Sequence, residues 1–148
     1  MARQYATYYL GNEYFGVEVK QVQEVLRYQN MTRVPLSSPV IRGLINLRGQ
    51  IVLAVDLRRR LGLPDRPDGT LPMNVVLQTD DGPVSLLVDR IGDVITVPDD
   101  AFELPPENLR GVSREIVRGV FKLDGALLLV VDPARVLDFD RRAEAAAA

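Results

Sequence analysis

The chain has 148 residues, 47% apolar and 26% charged, and its 18 basic and 20 acidic side chains leave a net charge of −2. At that length folding removes roughly 68–70% of the unfolded surface from water, so a core forms without covalent staples. The absence of Cys and His excludes disulfides and thiolate metal sites and removes the commonest general base and zinc ligand.

The small net charge offers no broad field for nucleic acid or an anionic membrane. No apolar stretch follows Met1-Ala2-Arg3, and no apolar run approaches the ~20 residues that cross a bilayer. The expectation is a soluble cytoplasmic protein without direct membrane insertion.

Residues 4–10 alternate and are followed by Gly11-Asn12 and then residues 13–18, which predicts a hairpin across a two-residue turn. Val19, Val22, Val25 and Leu26 recur at helical spacing and predict a short amphipathic helix of about two turns. Thr32 to Pro35 is predicted extended, with Ser37-Ser38-Pro39 capping a helical turn over residues 40–42. Residues 44–47 and 50–55 form a hairpin around Arg48-Gly49. Residues 73–78 and 83–88 form another around Asp80-Asp81-Gly82, and residues 94–98 add a strand. Residues 117–123 and 126–131 flank Asp124-Gly125, a strong hairpin signal. Residues 62–72, with Pro64, Pro67 and Pro72, form a linker. Residues 141–148 make an alanine-rich tail without apolar periodicity.

An internal echo organises these pieces. Arg42-Gly43-Leu44-Ile45, Arg48-Gly49, Asp56 and Leu61 return 76 positions later as Arg118-Gly119-Val120-Phe121, Asp124-Gly125, Asp132 and Leu137. A weaker echo places Val19, Val22, Glu24 and Val25 over Val88, Ile91, Asp93 and Val94, 69 positions later. Two copies of a strand-rich unit predict two small β-barrels, expected over residues 4–66 and 70–138 of one domain spanning 1–140. Residues 51–55 and 127–131 are continuously apolar, as strands are when both faces are buried. The barrels are therefore expected to share an apolar seam.

Catalytic chemistry finds little support. Asp56 and Asp132 each follow an apolar strand and precede a short helical run, where a side-chain oxygen accepts from free N–H groups. Asp80-Asp81 and Asp99-Asp100 fit turns and lack calcium-loop spacing. Arg58-Arg59-Arg60 is expected as a solvated helix end. Arg48 is less ordinary, because hairpin tips favour Asn or Asp before Gly. It is either a surface residue or a positioned cation that pairs with Glu24 or with a partner's carboxylate.

Val22-Gln23-Glu24-Val25, Thr32-Arg33-Val34-Pro35, Gly43-Leu44-Ile45-Asn46-Leu47-Arg48-Gly49, Val55-Asp56-Leu57-Arg58 and Leu87-Val88-Asp89 together resemble the signature of the CheW chemotaxis coupling family. The order and spacing fit from about Gln4 to Leu137, nearly the whole chain. The resemblance implies two tandem five-stranded SH3-like barrels, mainly β with short helices. It implies a non-enzymatic adaptor, without cofactor or metal, that bridges the cytoplasmic domain of a chemoreceptor to the regulatory domain of a CheA-type histidine kinase in membrane-associated arrays. Carried over, Val22, Ile91 and Val94 border an apolar groove for the receptor's helical hairpin. Glu24, Gly43, Arg48 and Gly49 fall to partner binding or coupling. Ser85 departs from the family's usual Gly, and Leu53-Ala54 replaces a proline-containing stretch. The alternative within the fold is a scaffold of a related pathway such as pilus motility; outside it, a small-barrel nucleic-acid binder or an enzyme using carboxylates alone.

Overall fold

The structure is a computed structural model in which residues 1–35, 38–109 and 112–139 are described; the tail expected over 141–148 and Ser37 lie outside them. Eleven strands run through the described residues: β1 Ala2–Leu10, β2 Glu13–Glu18, β3 Val22–Leu26, β4 Ile41–Leu47, β5 Gln50–Asp56, β6 Met73–Thr79, β7 Gly82–Val88, β8 Arg90–Pro98, β9 Phe102–Glu103, β10 Val117–Leu123 and β11 Ala126–Val131. Three short helices accompany them, α1 Leu57–Arg60, α2 Val112–Ile116 and α3 Pro133–Val136. No helix among the described residues is long and apolar enough to cross a membrane.

The strands form two sheets, β8-β1-β2-β11-β10-β9 and β3-β6-β7-β5-β4. Each contains one parallel pair, β2 with β11 and β5 with β7, among antiparallel neighbours. The 76-residue echo maps β4 onto β10, β5 onto β11 and α1 onto α3, and the bulge at Arg42 recurs at Arg118. The 69-residue echo maps β1, β2 and β3 onto β6, β7 and β8.

The expected in-line division at residues 66–70 does not match the sheets. Hairpin β1–β2 pairs with β8 and β11 from the second half of the chain, and hairpin β6–β7 pairs with β3 and β5 from the first. Each repeat thus lends its leading hairpin to the other's barrel. Equivalent strands share one apolar pattern, so sequence periodicity reveals the units but not which hairpin each sheet accepts.

This exchange explains the continuous apolar runs. One cluster holds Ile45, Leu47, Val52, Ala54, Val76 and Leu87, inside the five-stranded sheet. A second holds Tyr5, Val97, Phe121, Leu128 and Val130, inside the six-stranded one. The third and largest draws Tyr8, Phe15 and Val17 from one sheet and Val55, Val75, Leu77 and Leu86 from the other. Along β5, Val52 and Ala54 face the barrel interior while Val55 faces the seam. Leu128, Val130 and Val131 alternate likewise along β11. Beyond the first residue of each run, Ile51 and Leu127, which are exposed, both faces are apolar because both are covered.

Several local expectations change. The predicted helix over residues 19–26 is a 3-10 turn at Val19–Gln21 followed by β3, with a register shift between Val22 and Glu24. That bulge interrupts the two-residue alternation and leaves apolar residues at an accidental helical spacing. The turn expected over residues 40–42 ends at Val40, whose N–H donates to Ser38 Oγ (3.3 Å), and β4 begins at Ile41. Asp56 and Asp132 cap as expected, accepting from the N–H of Arg58 (3.1 Å) and Ala134 (3.0 Å). The arginine triplet is built in rather than solvated. Arg58 donates to Asp89, and the buried Arg60 donates to the carbonyls of Val136 (2.7 Å) and Arg135 (3.0 Å) at the end of α3. The guanidinium thereby satisfies the Val136 carbonyl that a short helix leaves open and adds to the Arg135 carbonyl, which also accepts from the Asp138 N–H (3.3 Å).

Candidate partner-binding site

The hairpin joining β4 to β5 turns at Arg48-Gly49. Arg48 has φ = 51° and is the one non-glycine residue at positive φ among the described residues; Gly49 follows at 86°. A left-handed backbone costs a side chain with Cβ about 1–2 kcal/mol, so Arg at this tip is retained against local preference. Two contacts hold the turn. Gly49 N–H donates to Asn46 Oδ1 (2.9 Å), and Arg48 Nη2 donates to Glu24 Oε2 from β3 at the other edge of the same sheet. Arg48 remains 68% exposed while Glu24 is 22% exposed. Gln78 donates to Gln23 beside them. The tip therefore presents a cation already oriented by one carboxylate, with donor capacity facing solvent.

Gly43 is buried in β4, and a Cβ there would lie 2.6 Å from the Thr32 carbonyl oxygen. Thr32 and Leu44 exchange two backbone hydrogen bonds of 2.8 Å across this approach. Gly43 thus seats the segment after β3 against the barrel, whereas Arg48, Gly49 and Glu24 gather at the surface.

The predicted groove residues occupy two equivalent outer strands, β3 and β8. Val22 and Ile91 are half-buried and lean on the shared seam cluster. Val94 is 58% exposed on β8, and Val25, its equivalent on β3, is 43% exposed. Val25 was absent from the sequence prediction, although the 69-residue echo pairs it with Val94. Apolar side chains exposed at matching positions beside a common seam are what an apolar partner helix needs.

Sequence reasoning also missed an ionic junction. Asp89 accepts from Arg58 Nε (2.9 Å) and Nη2 (2.5 Å) and from Gly11 N–H (2.6 Å) in the β1–β2 turn of the other sheet. Arg66, in the linker, lies with Nε 2.8 Å from Asp89 Oδ1, off the hydrogen-bonding axis, and its Nη1 donates to Asp56 Oδ1 (3.2 Å). Asp56, 1% exposed, also accepts from Arg42 Nη1 (3.3 Å). Burial pushes the Asp89 carboxyl up, but the Arg58 hydrogen bonds and Gly11 N–H outweigh it and hold the group below its ordinary range. Two of the signature stretches, ending in Arg58 and Asp89, thus meet as an ion pair. Their separation of 31 positions leaves no periodic trace.

At Ser85 the departure from Gly is accommodated. Its hydroxyl donates to Asn74 Oδ1 (2.7 Å), and both residues are buried. At the equivalent Gly16 a Cβ would press on Leu128 at 3.1 Å.

The CheW-like domain matches residues 4–141. Among curated relatives, the chemotaxis protein CheW of Bacillus subtilis is 35% identical over 128 residues, covering 86% of this chain and 81% of that protein. That of Treponema pallidum is 29% identical over 133 residues, covering 87% and 78%. The crystal structure of the scaffolding protein TtCheW from Thermoanaerobacter tengcongensis superposes with a TM-score of 0.81 at 26% identity, covering 89% of this chain and 90% of that one. With its two exchanged barrels, its shared seam and a match spanning nearly its whole length, the chain belongs to the CheW family of chemotaxis scaffold proteins.

Proposed function

We propose that this protein couples the cytoplasmic tips of chemoreceptors to the regulatory domain of a CheA-type histidine kinase, at the cytoplasmic face of membrane-associated arrays, and that it works by binding alone. The observation that carries the reading is Arg48. It is kept at positive φ on an exposed tip and aimed by Glu24, and an unfavourable backbone retained at a surface points to a use for the side chain. In this reading the receptor's helical hairpin packs on Val22, Ile91 and Val94, and the tip formed by Arg48, Gly49 and Glu24 meets the kinase domain, with Gly43 seating the segment behind it. Engaging both partners raises their effective concentration and fixes their geometry without any chemical step.

Two substitutions test the two surfaces separately. Val22→Asp puts a charge into a desolvated slot and is expected to weaken binding of a receptor cytoplasmic fragment while leaving kinase-domain binding intact. Arg48→Glu is expected to lower kinase activation in a reconstituted complex with little change in the thermal transition. Full receptor binding by folded Val22→Asp protein, or full activation by Arg48→Glu, contradicts the assignment of that surface.

A further inference from the structure

Beside the Thr32–Leu44 bridge lies a cleft of about 550 Å³, lined by Tyr28, Arg33, Val34, Ile41, Arg42 and Arg59 among others, and among the described residues none that lines it is acidic. Its cations are unequally answered. Arg59 is held by both oxygens of Asp65, Nε to Oδ1 (3.0 Å) and Nη2 to Oδ2 (3.2 Å), and its Nη1 donates to the Pro39 carbonyl (2.9 Å). Arg42 reaches Asp56 through one long contact of 3.3 Å, on a carboxylate already shared with Arg66. Arg33 is exposed and has no ion-pair partner among the described residues. Three guanidiniums thus face one opening, while the two carboxylates that answer them lie outside the lining, Asp56 buried and Asp65 pinned to Arg59.

The second barrel supplies an internal comparison. Glu103 pairs with Val120 there as Thr32 pairs with Leu44, so Phe102, Glu103 and Leu104 stand where Met31, Thr32 and Arg33 stand in the first. The Phe102 ring fills the space above Gly119 and packs on Phe121 with centroids 5.5 Å apart. Arg118, the equivalent of Arg42, lies over the Phe102 ring at 5.9 Å. The space left beside it is about 160 Å³. The fold therefore does not impose the cleft; Met31 and Arg33 in place of Phe102 and Leu104 open it and charge it.

We propose that this cleft binds an acidic segment of a protein partner, with Asp or Glu carboxylates on Arg33 and Arg42, beside the Asp65-held Arg59, and the aliphatic stems against Tyr28, Val34 and Ile41. Planar guanidinium forks suit carboxylates bidentately. The cleft's volume accommodates several side chains, well beyond a single small anion. Its donors are spread over the segment after β3, the start of β4 and α1, so an extended ligand meets more of them than a compact one. This site is separate from the Arg48 tip and from Val22, Ile91 and Val94, and its test uses neither receptor nor kinase.

The test follows backbone amide and arginine Nε–H NMR signals of the full chain during titration with a hexaglutamate peptide, at fixed ionic strength because exposed charges are screened. Inorganic phosphate is titrated in parallel. Saturable shifts at Tyr28, Val34, Ile41 and the three arginines are expected with the peptide. Arg33→Glu, which exchanges one exposed attraction for a repulsion, is expected to raise the dissociation constant about five- to tenfold, and Arg33→Ala by about half that factor. Neither should move the thermal transition. The proposal is overturned by an unsaturable or absent response, by unchanged peptide affinity in both variants, or by phosphate matching the peptide residue for residue at equal charge concentration.

Discussion

Replacing Asp89 by Asn removes one negative charge and leaves the shape of the junction nearly intact. The carboxylate touches Arg58 at 2.5, 2.9 and 3.2 Å, Arg66 at 2.8 Å and the Gly11 N–H at 2.6 Å. Its side chain is 16% exposed and those of Arg58 and Arg66 are 14% and 8% exposed, so the pairs are neither solvated nor fully dry. Breaking a buried pair costs about 3–5 kcal/mol and an exposed pair about 0–1 kcal/mol. Arg66 keeps Asp56, and Asn still offers one acceptor, so the expected loss is about 2–3 kcal/mol, or roughly 5–10 °C in Tm. Urea denaturation and thermal melts measure it, with Arg58→Met and the double variant closing a cycle. The double variant should lose less than the two single losses combined, because each single variant strands a charge. The same junction sets a pH dependence. The Asp89 carboxyl lies below its ordinary value in the folded protein, as does that of Glu18, where burial is outweighed by Arg3 and Lys20. Groups lowered on folding add stability above their unfolded values near pH 4, and that stability is lost as pH falls through the folded values. Wild-type Tm should therefore drop below about pH 4, with a shallower fall in Asp89→Asn. A loss under about 0.5 kcal/mol at pH 7 together with an unchanged acid limb would refute this reasoning.

Three further substitutions probe other levels of the account. The Tyr8 hydroxyl is buried without a partner among the described residues, its ring stacked on Phe15 with centroids 5.8 Å apart, so Tyr8→Phe should raise stability by about 1–2 kcal/mol in denaturant melts. Gly43→Ala forces a Cβ to within 2.6 Å of the Thr32 carbonyl and strains its two hydrogen bonds to Leu44; a loss of about 1–3 kcal/mol is expected. Arg48→Gly relieves the positive-φ residue and removes the Glu24 pair, so it should leave Tm equal or raise it by a few degrees while lowering kinase activation in the reconstituted complex.

Much of the fold was legible because hairpin turns and caps are written locally. Arg48-Gly49 and Asp124-Gly125 mark turns, Asp56 and Asp132 cap helices, and the 76-residue echo predicts the equivalence of β4, β5 and α1 with β10, β11 and α3. The shared seam was legible too, since residues 51–55 and 127–131 lack polar positions. What could not be read was pairing at a distance. Hairpins β1–β2 and β6–β7 carry equivalent patterns, so nothing local dictates which sheet each completes. β3 was hidden by its bulge, and β9 is only two residues long. Arginines 58, 60 and 66 escaped because a guanidinium looks solvated in sequence until its carboxylate or carbonyl partner, tens of residues away, is brought to it. At the candidate site, the Glu24–Arg48 pair was foreseen as one of two alternatives, whereas the exposure of Val25 and the cleft around Arg33 emerged only from the folded packing.

The most direct test of the central claim, that one molecule engages two partners at separate surfaces, is sedimentation velocity on the purified protein with a chemoreceptor cytoplasmic fragment and a CheA-type regulatory domain, added singly and together. The account predicts two binary complexes and a faster-sedimenting ternary one, with Val22→Asp and Arg48→Glu each removing a different binary species. Competition between the two partners for one surface, or no complex with either from folded protein, would contradict it.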